Sequence, residues 1–238
     1  TVAGITAMRV SGGFNGGSAT LSAGQVSTAI QRASSTWVSS LPTLVASSST
    51  TKVATVKTLM TGFTSGSMDS IIALPAARQG TNTELKQVIG AVSRGTIDGA
   101  GVMLANDATT YQYFDLDVMI SSTQQAIQPL MTRTIELSAA RSSGGGTWVA
   151  ADSAAVVRQV TNGVVTRVSA MPSSTRLSSA AQVKTILTKV PLPAMVACYG
   201  TFSVESRSTI IGFAVKSFVE DVEVVQARST LVSLSVDL

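Results

Sequence analysis

Residues 157–168, VRQVTNGVVTRV, carry two arginines in a run that reads as a β-hairpin. With Asn162-Gly163 as a two-residue turn, Arg158 and Arg167 stand opposite each other on one face. Like charges placed so repel. Either that face opens to water, or an anion sits between the arginines: a phosphate of nucleic acid, or a neighbouring subunit's carboxylate. A second set is Asp115 and Asp117 in FDLDVMI, whose spacing on a strand puts both carboxylates on one face. With Asp98, Asp107 or a neighbour's carbonyl they could hold calcium, which takes about six to eight oxygens; an exposed strand face is the plainer reading. The densest acidity is EDVE, with Glu220, Asp221 and Glu223. These three form a candidate inter-subunit patch for Arg158 and Arg167 of another copy, or a charged strand edge that discourages strand addition.

Other chemistry is excluded by residue type. The chain has no histidine, which removes Ser–His and Cys–His pairs, imidazole bases and most zinc or iron sites. A Ser–Lys dyad survives only formally among so many serines. GAGVML (99–104) starts like a dinucleotide fingerprint but lacks its third glycine, and SGGFNGGS (11–18) lacks the Lys-Ser/Thr ending of a phosphate-binding loop. Aromatic residues make up 5% of the chain and are scattered, too few for a sugar cleft or a base-stacking platform. Cys198, the lone cysteine, sits in an apolar run and reads as a buried inert thiol. No enzyme is indicated, and no cofactor beyond the candidate calcium.

Three capping boxes announce helices: Ser22–Gln25, Thr81–Glu84 and Ser179–Gln182. The second continues with Leu85, Val88, Ile89 and Val92 at helical spacing and is expected to stop at Gly95. The third continues with Val183, Ile186, Leu187 and Val190 to Pro191. Elsewhere β-branched, alternating runs predominate: TKVATVKTLM from Thr51, FDLDVMI, RTIELSA from Arg133, the 157–168 hairpin, MVACYGTFSV, STIIGFAVKSFV and LVSLSVDL. The expected fold is mainly β, an antiparallel sandwich of jelly-roll type with two or three short inserted helices, in a single domain over 1–238.

Charged residues make up 13% of the chain, against about 25% in ordinary soluble domains. Serine and threonine fill the gap. Such a surface suits burial against copies of itself, or display outside cells. The net charge is +4, with no basic block to gather nucleic acid. The longest apolar run, 190–204, is broken by two prolines, so no membrane span is expected.

In these respects the chain resembles the shell-forming coat subunits of small icosahedral viruses. The strand series from TKVATVKTLM to LVSLSVDL and the helices at Thr81 and Ser179 carry the resemblance. It implies a self-assembling structural subunit, partnered by copies of itself or other coat subunits and by sequence-neutral contacts to packaged nucleic acid, within a virion. Such coats often carry a basic N-terminal arm; here the first 24 residues hold only Arg9. A start at Thr1 suits a product cut from a polyprotein. The alternatives are another assembling or displayed protein (a phage capsid or tail component, a surface-layer protein, an adhesin) and, last, an unfamiliar hydrolase.

Overall fold

A computed structural model describes residues 21–45, 49–75, 80–106, 113–169, 185–186, 188–190 and 193. These residues are 86% helical and contain no strand. Six helices order them: α1 (Ala23–Leu44), α2 (Ser49–Ile72), α3 (Asn82–Asn106), α4 (Leu116–Thr132), α5 (Thr134–Ser143) and α6 (Ala150–Ser169). The expected β-sandwich, and the jelly roll with it, is overturned: TKVATVKTLM lies in α2, RTIELSA in α5, and the supposed hairpin in α6. The coat-subunit resemblance loses the strand series that carried it. The third capping box, Cys198, Asp107 and the runs beyond residue 193 lie outside the described residues.

The physical reason is what the hydroxyls do. Thr58, Thr61, Thr96, Thr123, Thr132, Thr161 and Thr166 each donate to the carbonyl four residues back, at 2.7–3.1 Å. Ser67 does the same to Phe63 at 2.8 Å. A hydroxyl satisfied inside its own helix can be buried without an orphan donor. Thr96, Thr123 and Thr161 are buried in this way. Strand-prone residues thus enter helices because tertiary packing outweighs a propensity difference of tenths of a kcal/mol per residue, ~0.7 at most.

Both capping boxes within the described residues form. Gln25 N donates to Ser22 Oγ at 3.3 Å while Ser22 N reaches Gln25 Oε1 at 2.7 Å. Thr81 and Glu84 repeat the exchange at 2.9 and 3.3 Å. Gly95, however, is no terminator. α3 runs on to Asn106, and a Cβ at Gly95 would lie 2.5 Å from Ser34 Cβ and closer still to the Gln31 carbonyl. One turn on, a Cβ at Gly99 would meet Val38 Cβ at 2.5 Å and the Ser35 carbonyl at 2.8 Å. The two glycines let α3 press its backbone against α1.

Residue pairs fix the directions. Gln31 meets Asp98 while Ser27 meets Arg94, so α1 and α3 run parallel. Lys86 meets Asp152 and Asp98 meets Arg167, so α3 and α6 also run parallel. The α2 and α4 helices run together the opposite way, with Arg133 after α4 bound to Ser65 and Asp69 of α2. The result is a layer α1–α3–α6 covered by a layer α2–α4, with α3 at the centre. One core group (Val26, Ile30, Leu85, Ile89, Ile127, Leu130, Val156, Val160) lies toward the end where the first layer begins. The other (Val38, Leu41, Val56, Met60, Met103, Leu104, Phe114, Met119) lies where it finishes. Ile186 and Val190 are buried in the first group. The Asn82–Ala105 stretch of α3 is long and apolar enough to cross a membrane, but 78% of its most apolar window is buried by neighbours, as befits the central helix of a bundle.

Alanine substitution separates the two kinds of glycine. At Gly95 or Gly99 it should destabilise the fold by about 1–3 kcal/mol through overpacking. At Gly62, whose Cβ would meet nothing within 4 Å, it should stabilise by about 0.4–1 kcal/mol. Urea unfolding of the three variants measures both signs; a neutral Gly95→Ala contradicts the α1–α3 crossing, and a destabilised Gly62→Ala contradicts the open space beside α2.

Candidate functional site

Arg158 and Arg167, expected opposite each other on a hairpin, do not face each other. Both lie on α6, nine residues apart, and nine steps of about 100° come to two and a half turns, so they project from opposite sides. Arg158 is exposed on the side away from α3. Arg167 instead reaches α3, where its Nε bonds Asp98 Oδ1. Asp98 also accepts from Gln31 Nε2 at 2.9 Å. Gln31 in turn accepts from Arg94 Nε at 3.1 Å, and Arg94 Nη2 donates to Ser27 Oγ at 3.0 Å. A chain of polar groups therefore crosses α1, α3 and α6. Burial, then the nearby Arg167 charge, pulls the Arg94 guanidinium below its ordinary value, against the opposing pull of Asp98.

Asp115 and Asp117 belong to a helix start. Asp115 caps α4, accepting from Val118 N at 2.8 Å, and Asp117 sits in the first turn. Both positions favour a carboxylate by the unpaired N–H groups and the helix dipole. The spacing that would align them on a strand separates them here, and no metal-holding group of His, Cys, Asp and Glu occurs among the described residues. Glu220, Asp221 and Glu223 lie outside the described residues.

Two further polar assemblies escape a sequence reading, since their members are roughly sixty to seventy residues apart. In the first, Asp152 receives Lys86 Nζ at 2.9 Å, Asn82 Nδ2 at 3.0 Å and Val149 N at 3.1 Å. Arg141 grips Asn82 Oδ1 at 2.9 Å and the Gly80 carbonyl at 3.1 Å. Together they clasp the starts of α3 and α6. Burial would raise the Asp152 carboxyl, but the Lys86 hydrogen bond, the Val149 N–H, the Lys86 charge and the Asn82 amide outweigh it and hold it below its ordinary value.

In the second, Arg133 binds Glu136 and Asp69. The Glu136 hydrogen bond, opposed by burial and aided by Asp69, raises its pKa. Beside it opens a groove of about 370 Å³ lined by Thr61, Ser65, Gln125, Gln128, Pro129, Thr132 and Arg133. Pro129 cannot donate to the Gln125 carbonyl, leaving that acceptor without its helical partner. The Thr61 and Thr132 hydroxyls are turned to their own helices. The lining hydrogen-bonds but holds no nucleophile paired with a base.

The clasp has a pH signature. A carboxyl held low in the folded state stabilises above the ordinary carboxylate range and loses that contribution as pH falls through its folded value. Asp152→Asn should lower stability at neutral pH by about 1–3 kcal/mol, the range for a hydrogen-bonded charge left without its partner. It should also flatten the acid loss that the wild type shows below about pH 4. Thermal unfolding at several pH values checks both; parallel wild-type and variant curves contradict it.

No family model, curated protein or solved structure matches this chain.

Proposed function

We infer that this chain is a structural, non-enzymatic subunit that assembles with copies of itself through the edges of its three-helix layer. The observation that carries the reading is the outward side of α1. Its exposed residues Gln25, Thr28, Ala29, Arg32, Ala33 and Thr36 include one charge and no carboxylate. A helix that lives in water usually covers that side with mixed Lys and Glu. The opposite edge is similar: the far side of α6 offers Ala151, Ala155, Arg158, Asn162 and Thr166, again with one charge. Interface centres are depleted in charge in this way.

The two edges differ from each other, so a contact of α6 of one copy on α1 of the next is heterologous. Such a contact repeats into rings or open filaments. The charge-poor, hydroxyl-rich composition of the whole chain supports the same reading. The helical fold removes the jelly-roll shell from consideration, and the assembly proposed is of helical subunits.

Light scattering with negative-stain microscopy tests the proposal on the full chain. Assemblies many times the 24.4 kDa subunit mass are expected, and a stable monomer overturns it. The absorbance ratio of the assembled fraction reports whether nucleic acid travels with it. Ala29→Glu with Ala33→Glu should abolish assembly while leaving far-UV circular dichroism unchanged, since both sites are exposed. Because each edge carries only an arginine, added salt should leave assembly intact or strengthen it by screening.

A further inference from the structure

We propose that Arg94 and Arg167 form a binding site for a phosphate-class oxyanion on the outer face of the α1–α3–α6 layer. Charge and unspent donors both point there. Two guanidiniums and one carboxylate occupy a half-buried cluster, and each oxygen of that carboxylate already has a partner: Asp98 Oδ1 takes Arg167, and Oδ2 takes Gln31. Arg94 is left with neutral acceptors only, the Gln31 carbonyl oxygen and the Ser27 hydroxyl. Of its five N–H donors two are used, and no carboxylate lies within ion-pair distance of it among the described residues. Asp98 pulls on Arg94 as well as on Arg167, yet one carboxylate against two guanidiniums leaves this half-buried cluster with a net positive charge, which is costly to desolvate.

The place is open enough to be filled. The Arg167 side chain is 36% exposed and the Asp98 side chain 16%. Arg94 and Asp98 lie four residues apart on the solvent side of α3, with α1 and α6 as walls. The unspent guanidinium donors suit the paired oxygens of a phosphate, which Arg binds as a planar fork. A free inorganic phosphate and a phosphodiester of a nucleic-acid strand present the same chemistry.

Titration of the full chain with inorganic phosphate by calorimetry, and of a fluorescent single-stranded oligonucleotide by anisotropy at low salt, distinguishes the sources. Binding of phosphate with no preference for the oligonucleotide identifies a small-anion site. Tighter, salt-dependent oligonucleotide binding identifies a strand contact. In either case Arg94→Gln should weaken binding about tenfold or more, the worth of one charge-assisted hydrogen bond. Arg94→Lys should recover only part of it. Arg167→Gln, which severs no link between α1 and α3, should weaken binding similarly with the helical spectrum unchanged. Asp98→Asn should tighten binding by removing the competing carboxylate. Absence of binding by the wild type, or equal binding by wild type and Arg167→Gln, overturns the site.

Discussion

The contact on which the molecule depends is the backbone-to-backbone approach of α1 and α3 at Gly95 and Gly99. Nothing larger than hydrogen fits between α3 and the Gln31–Val38 stretch of α1. That closeness brings Ser27 and Gln31 within hydrogen-bond reach of Arg94 and Asp98. It also centres α3, so that its other flank can receive α6, with Ser93 Oγ donating to the Val160 carbonyl at 3.1 Å. Gly90 and Gly163 mark that second junction, where a Cβ would come within about 3.1 Å of its neighbours. A helix with ordinary side chains at these positions would stand off from both partners, and the polar chain across the layer would come apart.

The cost of such a design falls on solvation. Small residues bury little apolar area each, so the layer gains less from the hydrophobic effect than a leucine-rich one. Dispersion between closely spaced backbones and satisfied hydroxyls makes up part of the difference. The larger side chains are kept for the junction with the second layer, where Met60, Met68, Phe114 and Leu130 are fully buried. Trp37 and Phe63, stacked with centroids 4.7 Å apart, join α1 to α2. Ser34 and Ser122 hold buried hydroxyls without a partner. At Ser34 the reason is visible, since the small side chain is what admits Gly95.

Helix starts were legible in the sequence because a capping box is a local device. Ser22–Gln25 and Thr81–Glu84 need no information from elsewhere in the chain. Helix ends and strand identity were not, because they were decided by distant residues. Gly95 reads as a terminator until Gln31 and Ser34 are known to press against it. FDLDVMI alternates like a strand, yet Asp115 is a cap, and only the later Ala126, Ile127 and Leu130 show that burial follows a helical stripe. The misreading of Arg158 and Arg167 followed from the same error of period: a turn at Asn162-Gly163 brings them together, and a continuous helix sends them apart. The carboxylate that Arg167 does meet, Asp98 of its own chain, stands sixty-nine residues away and was not among the anions the sequence suggested for it.

The parallel layering carries a consequence for how the chain finds its structure. Helical proteins usually fold fast because their helices pack on sequence neighbours. Here the intimate neighbours are α1 with α3, α3 with α6, and α2 with α4, each pair skipping at least one intervening helix. Hydrogen bonds between them span 63 to 70 residues. Closing such loops costs entropy before any contact rewards it. The molecule thus joins the secondary structure of a rapid folder to the contact order of a slow one. Its α1 helix, made before α3, has to wait for that helix before its inner face is covered.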